Sequence, residues 1–243
     1  MSFLRAATLL RRLKLLCRIA LSLLVCRLTL VPNILAHADD PEPDPRFGAV
    51  ESYMFPEAAA ELGLGWDRMI IHWYQRQPDS LRQWETSQDE KIWVDQARES
   101  GREMVVLLMG PPDWATDGLP GRGVPRGLYL PVNHPGNHWA RFVRRVVAEY
   151  QGQIRHWIIW NEPDIAPDHP GAQFDGSVQD YYRLLKVAYL AAKSVDPEVD
   201  IHMAALTFWH DVVYGREPYL RRLLTVASQD SSALRNNYYF DVF

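Results

Sequence analysis

The segment His156-Trp157-Ile158-Ile159-Trp160-Asn161-Glu162-Pro163 joins a short apolar strand directly to a carboxylate and a proline. Residues 154–160 have the length and the β-branched and aromatic content of a strand. Pro163 disfavours the right-handed helical region for the residue before it. We therefore expect an extended backbone at Glu162, which would keep its carboxyl at the end of the strand.

The residues on either side of this strand predict helices and further strands. Apolar side chains between positions 139 and 150 recur at the spacing of one helical face: Trp139, Phe142, Val143, Val146, Val147 and Tyr150. After the strand, the sequence predicts helices over residues 177–195 and 218–227. Strands are predicted over residues 200–206 and 238–243.

The N-terminal half shows the same alternation. The sequence predicts strands over residues 47–50, 68–73 and 103–109, and the continuous apolar run over residues 104–109 suits a strand buried on both faces. A first helix has Pro56 at its start and Gly63 at its end, and a second opens with a Ser87-Gln88-Asp89-Glu90 capping box and ends near Gly101. The Gly- and Pro-rich residues 110–136 form a long loop, and long loops in compact domains are often functional.

Strands that alternate with helices indicate an α/β fold with a parallel sheet. We predict a (β/α)8 TIM barrel over residues 47–243. Eight strands close such a barrel and the sequence holds about six, so we expect a barrel that is truncated after its sixth strand. The alternative is an open doubly wound sheet, but no Gly-x-Gly-x-x-Gly follows the first strand to support a dinucleotide site.

The first 38 residues resemble a signal peptide. They contain six basic residues and no acidic one, include a largely apolar run and end in Ala36-His37-Ala38, which has the pattern of a signal-peptidase site. We therefore predict export to the periplasm or outside the cell, with a Pro-rich linker over residues 39–46. An N-terminal membrane anchor is the alternative, although Arg27 and Pro32 interrupt the apolar run.

Charge and cysteine content exclude several classes of protein. Removing the leader leaves 20 Lys and Arg against 30 Asp and Glu, so no basic surface remains for nucleic acid. Cys17 and Cys26 both lie in the leader, and the rest of the chain can form no disulfide. We predict no cofactor and no stable membrane association after cleavage, and the oligomeric state stays open.

The strand end at Glu162 is the best candidate for chemistry, because active sites of β/α barrels lie at the C-terminal ends of their strands. Glycoside cleavage needs an acid that protonates the leaving oxygen and a second carboxylate that acts at the anomeric carbon. We expect Trp157 and Trp160 to pack around the Glu162 carboxyl, and Asn161 to hydrogen-bond a sugar 2-hydroxyl. Alternatively, Glu162 caps the strand or forms an ion pair there.

Trp160-Asn161-Glu162-Pro163 on the fourth strand resembles the acid/base motif of clan A glycoside hydrolases, the retaining (β/α)8 group that includes families 5 and 39. The resemblance runs from about residue 47 to residue 243. It includes Phe47-Gly48-Ala49, Arg68 and Pro111-Pro112-Asp113-Trp114-Ala115. It implies that Glu162 is the acid/base, that Asn161 binds the sugar and that Arg68 orients the nucleophile. An ordinary salt bridge explains Arg68 about as well.

The resemblance also implies where the second carboxylate lies. The clan has its nucleophilic glutamate at the end of strand seven, so we expect the nucleophile beyond Phe243 and expect the 243-residue chain alone to be inactive. Glu51 and Asp113 follow predicted strands and are alternatives by position. Retaining chemistry requires the two carboxyl groups to be about 5–5.5 Å apart.

Other residues near strand ends are weaker candidates. Trp73, Trp114 and Trp209 could stack on a sugar, and burial in the core is the alternative for each. His72 and His202 could hydrogen-bond sugar hydroxyls or be ordinary core histidines. The spacing of His134 and His138 is that of a metal pair on a helix, but the intervening Pro135 and Gly136 oppose a helix, so we predict no metal site.

The sequence therefore predicts hydrolysis of a β-linked glycoside or polysaccharide with retention at the anomeric carbon. A non-catalytic carbohydrate-binding protein on the same barrel is the competing hypothesis, since it keeps the aromatic rings without needing two carboxylates. An unrelated barrel enzyme is a third, because a fold does not fix a function.

Overall fold

The computed structural model describes residues 41–243, so the predicted signal peptide and the first two residues of the predicted linker lie outside the described part. Five strands form one sheet, in chain order and with every neighbouring pair parallel: β1 (Asp44–Val50), β2 (Leu64–His72), β3 (Glu103–Met109), β4 (His156–Ile159) and β5 (Asp200–Met203).

One or more helices follow each strand. They are α1 (Pro56–Glu61), α2 (Trp73–Arg76), α3 (Gln88–Glu99), α4 (His138–Glu149), α5 (Val178–Lys193), α6 (Trp209–Val213) and α7 (Tyr219–Ser228). Short 3-10 helices span Ser52–Met54, Asp113–Ala115 and Leu234–Tyr239. A parallel sheet whose strands follow chain order, with helical crossovers, is the arrangement of a β/α barrel, and it confirms the predicted fold class.

The two faces of the sheet differ in burial because side chains alternate along each strand. On β2, Asp67, Met69 and Ile71 are buried under the helices, while Arg68 and Ile70 on the other face are only partly buried. That second face lines a cavity of about 530 Å³ together with residues of β3, β4 and β5. It corresponds to the interior of a barrel.

The helix layer is held to the sheet by the apolar face that the sequence predicts on α4. All six predicted side chains of this face are at most 1% exposed. Burial of such aromatic and aliphatic side chains contributes roughly 1.5–3 kcal/mol each. On α5, the Tyr181 hydroxyl donates to the carbonyl of Ile159 (3.1 Å) and accepts from the amide of Ala204 (2.7 Å), so it ties the ends of β4 and β5 together.

The capping box that the sequence predicts at the start of α3 is only partly formed. Ser87 caps α3 by accepting a hydrogen bond from the Glu90 amide (3.2 Å). The Glu90 side chain does not complete a capping box, because it forms an ion pair with the buried Arg76 instead. A complete capping box occurs at α5, between Ser177 and Asp180.

The predicted strand bounds need correction at the N-terminal end. β1 begins at Asp44, so residues 44–46 of the predicted linker belong to a strand. β2 begins at Leu64 and ends at His72, and Trp73, which we predicted as the last residue of this strand, begins α2.

The predicted sixth strand over residues 238–243 is wrong. Asn237, Tyr238 and Tyr239 have positive φ angles of 48°, 55° and 67°, and Leu234–Tyr239 forms a 3-10 helix. The Tyr239 ring is buried against Tyr182 and Tyr189, and this packing uses the apolar residues that suggested a strand. Only Val242 pairs with the sheet, through an isolated parallel bridge to His202. Within residues 41–243, no helix is long and apolar enough to cross a membrane.

Two glycines with the same backbone conformation should respond differently to substitution. Gly127 and Gly152 have φ angles of 71° and 72°. A Cβ atom at Gly127 would lie 1.9 Å from the Gly136 carbonyl oxygen, whereas a Cβ at Gly152 would have no described atom within 4 Å apart from those of residues 151–153. Gly152→Ala should therefore lower the free energy of unfolding by about 1–2 kcal/mol, and Gly127→Ala by roughly 2–5 kcal/mol.

Urea denaturation of the two variants, analysed with a common m value, measures this difference. Equal losses of stability would show that the 110–136 loop does not pack around Gly127 as described.

Candidate active site

Parallel pairing places the end of β4 between the ends of its two neighbours. Ile159 pairs with Leu108 of β3 and with Met203 of β5. Beyond the strand, the Trp160 amide donates to the Leu108 carbonyl (3.0 Å), and the Glu162 amide donates to the Ala205 carbonyl (3.1 Å). The predicted motif is therefore hydrogen-bonded to both neighbouring segments.

The backbone of this motif departs from the expected extended geometry. Trp160 has a φ angle of 71° and Glu162 has a φ angle of 45°. Pro163 does keep Glu162 out of the right-handed helical region, but the left-handed region is adopted in place of the extended one. Left-handed backbone at a residue other than glycine costs of order 1–3 kcal/mol and is found most often at functional sites.

The two tryptophans do not surround the Glu162 carboxyl, contrary to expectation. Trp157 is fully buried and its ring lies 6.4 Å from that of Tyr150, in the helix layer. Trp160 is also fully buried, packs on Phe174 and donates its indole N–H to the Gln173 carbonyl (2.8 Å). These rings therefore hold the turn from the helix side, and the Glu162 side chain is half-buried at the mouth of the sheet.

A chain of side-chain hydrogen bonds links β2 to the candidate carboxylate. The Arg68 guanidinium donates to Oδ1 of Asn161 (3.0 Å), and Nδ2 of Asn161 donates to Oε1 of Gln173 (3.0 Å). Nε2 of Gln173 then donates to Oε2 of Glu162 (2.9 Å). The structure thus brings three predicted site residues together. The salt bridge considered for Arg68 is not formed with any acidic residue between positions 41 and 243.

Gln173 is the site residue that sequence reasoning missed. It lies 11 residues after Glu162, in a loop without a recognisable motif. No periodicity or turn signal marks a glutamine in such a position, so only the folded path of the loop reveals it.

A cleft of about 470 Å³ adjoins this hydrogen-bonded chain. His72 and Gln173 line it, with Tyr74, Gly121 and Arg122. The ring of Tyr74 stacks on that of His72 at 4.9 Å, and burial lowers the pKa of His72 from its usual value. The cleft has the polar and aromatic lining on which a sugar ring can be bound.

The three predicted sugar-stacking tryptophans have different positions. Trp73 is fully buried, and its indole N–H donates to Gln77 (2.8 Å), so it is a core residue and not a sugar platform. Trp114 is partly buried, meets the Trp73 ring edge-on at 5.9 Å and donates to the Gln77 carbonyl (2.7 Å). Trp209 is 49% exposed in the segment after β5, and it is the most exposed of the three.

His202 does not lie at the mouth. It faces the concave side of the sheet, where its Nε2 is 3.0 Å from Nδ1 of His156. The other nitrogen of His156 is 2.9 Å from the Glu103 carboxylate. His202 is therefore part of a polar cluster below the strand ends and does not contact the chain from Arg68 to Glu162.

The predicted absence of a metal site concerned His134 and His138. His138 begins α4 with its ring against Trp114 (5.5 Å), and Nδ1 of His134 accepts from the Gly136 amide (3.0 Å). Across residues 41–243, no group of three or more His, Cys, Asp or Glu side chains is placed to hold a metal ion.

A partly buried carboxylate, an amide hydrogen-bonded to it and a cleft at the C-terminal ends of parallel strands are the arrangement of a β/α-barrel protein whose site lies at that end of the sheet. No protein-family model matches the chain, and no curated protein matches it significantly. Solved structures do match it.

Two of these structures support the fold assignment. The catalytic domain of GH30 xylanase C from Talaromyces cellulolyticus is 16% identical with a TM-score of 0.53, and the match covers 75% of this chain and 49% of that one. A monomeric beta-xylosidase from Caulobacter crescentus CB15 is 14% identical with a TM-score of 0.50, covering 74% and 42%.

A family 39 glycoside hydrolase from Bacteroides cellulosilyticus WH2 is 17% identical with a TM-score of 0.49, covering 65% of this chain and 31% of that one. The chain thus spans less than half the length of each of these three structures. The resemblance to clan A glycoside hydrolases that the motif predicts is confirmed at the level of the fold.

The histidine pair predicts how stability depends on pH. Burial, followed by the neighbouring His156, lowers the pKa of His202 from 6.5 to about 4. Between these values the unfolded chain binds a proton that the folded chain does not, so stability falls as the pH drops from 6.5 towards 4. His202→Gln should reduce this loss, which urea denaturation at pH 7 and pH 4.5 measures. An unchanged loss in the variant would show that His202 does not titrate in this way.

Proposed function

We propose that the whole protein hydrolyses a β-linked glycoside or polysaccharide with retention at the anomeric carbon, and that Glu162 is its acid/base. The observation that carries this proposal is the placement of Glu162, whose partly buried carboxyl lies at the C-terminal end of β4 and is hydrogen-bonded through Gln173 to Asn161 and Arg68. A parallel β/α sheet and a cleft of about 470 Å³ that is lined by Gln173 support it.

In the first step, a carboxylate nucleophile attacks the anomeric carbon, the bond to the leaving oxygen breaks, and that oxygen takes the proton from Glu162. In the second step, the Glu162 carboxylate takes a proton from water while the water oxygen attacks the anomeric carbon and releases the nucleophile. Glu162 ends the cycle protonated, as it began.

The nucleophile must lie about 5–5.5 Å from Glu162. We propose that a segment C-terminal to Phe243 in the whole protein provides it, which agrees with the 31–49% of similar structures that this chain spans. The 243-residue chain alone is then inactive. The Asn161 amide retains one N–H beyond its bond to Gln173, and in this proposal that N–H binds the sugar 2-hydroxyl.

Xylan and aryl β-xylosides are the first substrates to test, because two of the similar structures are named as a xylanase and a beta-xylosidase. Product analysis by proton NMR at early times shows the anomeric configuration directly. Retention is expected, and an inverted product would contradict the double-displacement mechanism.

Glu162→Gln in the whole protein should lower kcat about 10²- to 10⁴-fold for substrates with poor leaving groups, because the proton donor is lost. An aryl glycoside with a good leaving group needs little protonation, so its first step should be nearly unaffected. Azide, which attacks without losing a proton, should restore turnover of such a substrate in Glu162→Ala and give a β-glycosyl azide.

Glu198→Gln, at an exposed position before β5, is the matched control and should retain full activity. Near-normal turnover of poor leaving groups by Glu162→Gln would contradict the assignment. A folded whole protein that binds oligosaccharides and hydrolyses none would favour a carbohydrate-binding function on the same barrel.

A further inference from the structure

In the hydrogen-bonded chain from Arg68 to Glu162, each side chain donates to the next one. Arg68 fixes this direction of donation. A guanidinium group can only donate hydrogen bonds and stays protonated in proteins. The atom of Asn161 that lies 3.0 Å from the Arg68 guanidinium must therefore be the acceptor, Oδ1. This contact removes the ambiguity between oxygen and nitrogen that an amide side chain otherwise has.

The orientation of the Asn161 amide then fixes the orientation of the Gln173 amide. With Oδ1 on Arg68, the Asn161 amide presents Nδ2 to Gln173, so the Gln173 atom at 3.0 Å must be Oε1. With Oε1 used in this way, Gln173 presents Nε2 to Glu162, at 2.9 Å from Oε2. Each step follows from the donor or acceptor character of the step before it.

Gln173 is also fixed through its backbone. Its carbonyl accepts the indole N–H of the fully buried Trp160 (2.8 Å), and the next residue, Phe174, is fully buried against the Trp160 ring. The side chain of Gln173 therefore starts from a rigid point. Its amide can turn about its last bond, but the two contacts with Asn161 and Glu162 favour one orientation.

An N–H that points at Oε2 disfavours a proton on that oxygen, because the hydroxyl oxygen of a carboxylic acid accepts a hydrogen bond more weakly than its carbonyl oxygen. Among residues 41–243, no hydrogen bond reaches Oε1 of Glu162. We propose that Gln173 is a positioning residue that, under the direction imposed by Arg68 through Asn161, places the transferable proton of Glu162 on Oε1. This inference rests on the proposed acid/base function of Glu162.

The chain of contacts can be tested without any activity. The two side-chain N–H resonances of Gln173, observed by NMR in the 243-residue chain, should shift as Glu162 titrates and should lose this pH dependence in Glu162→Gln. Gln153, which is exposed, provides a reference side chain in the same spectra. Gln173 resonances that respond identically in the wild type and in Glu162→Gln would overturn the proposal.

A second variant tests the direction. In Asn161→Asp, both oxygens of residue 161 are acceptors, so Gln173 should turn its Nε2 towards residue 161 and its Oε1 towards Glu162. The effect of Glu162→Gln on the Gln173 resonances should then be at least halved in the Asn161→Asp background. An effect of equal size in both backgrounds would show that Arg68 and Asn161 do not orient Gln173.

The catalytic consequence is tested in the whole protein with Gln173→Glu, which keeps the shape of the side chain and replaces the donor by an acceptor. We expect kcat to fall roughly ten- to a hundredfold because the proton is misplaced, with KM changed less than about threefold. A negative charge at residue 173 also disfavours the charged form of Glu162, so the basic limb of the pH–rate profile should move to higher pH.

Gln153→Glu makes the same chemical change at an exposed position and should leave both kcat and the pH–rate profile unchanged. If Gln173→Glu behaves like Gln153→Glu in an active enzyme, the positioning role is wrong and the proposed function stands. If the wild-type whole protein hydrolyses no glycoside, the proposed function fails, and the NMR measurements still decide whether Gln173 is oriented as inferred.

Discussion

Parallel pairing of β4 with both β3 and β5 is the constraint on which the candidate site depends. It places the end of β4 beside Leu108 on one side and beside the segment after Met203 on the other. Because all strands run in the same direction, the loops that follow them meet at one edge of the sheet. Hydrogen bonds through Asn161 and Gln173 therefore link the Glu162 carboxylate at this edge to Arg68 of β2, although Arg68 and Gln173 are 105 positions apart in the sequence.

The backbone of the turn after β4 determines where the side chains of Asn161 and Glu162 lie. Positive φ angles at Trp160 and Glu162 are unfavourable for residues with a side chain, and the surrounding contacts compensate for them. Trp160 is anchored by burial and by its indole N–H, and Glu162 by its amide bond to Ala205. With the backbone held in this way, the amides of Asn161 and Gln173 connect Arg68 to the carboxyl of Glu162.

Much of the fold and part of the candidate site could be predicted from the sequence, and the errors have physical causes. The apolar face of α4 and the strand before Glu162 follow from periodicity, and the α/β class from their alternation. Trp73 and the aromatic residues near Phe243 were misassigned because an apolar residue that packs in the core looks the same in sequence as one that ends or forms a strand. The left-handed φ of Glu162 depends on contacts with β3 and β5, and Gln173 depends on the path of a loop. Neither leaves a local signal.

A crystal structure of the whole protein bearing Glu162→Gln, with an intact β-linked oligosaccharide bound, shows whether Glu162 is the acid of a retaining carboxylate pair. The glycosidic oxygen should lie within about 3.2 Å of the residue 162 side chain, and a second carboxylate should lie about 5–5.5 Å from that side chain on the opposite side of the anomeric carbon. A glycosidic oxygen out of hydrogen-bonding reach of residue 162, or a second carboxylate some 6.5–9.5 Å away, would contradict this role of Glu162.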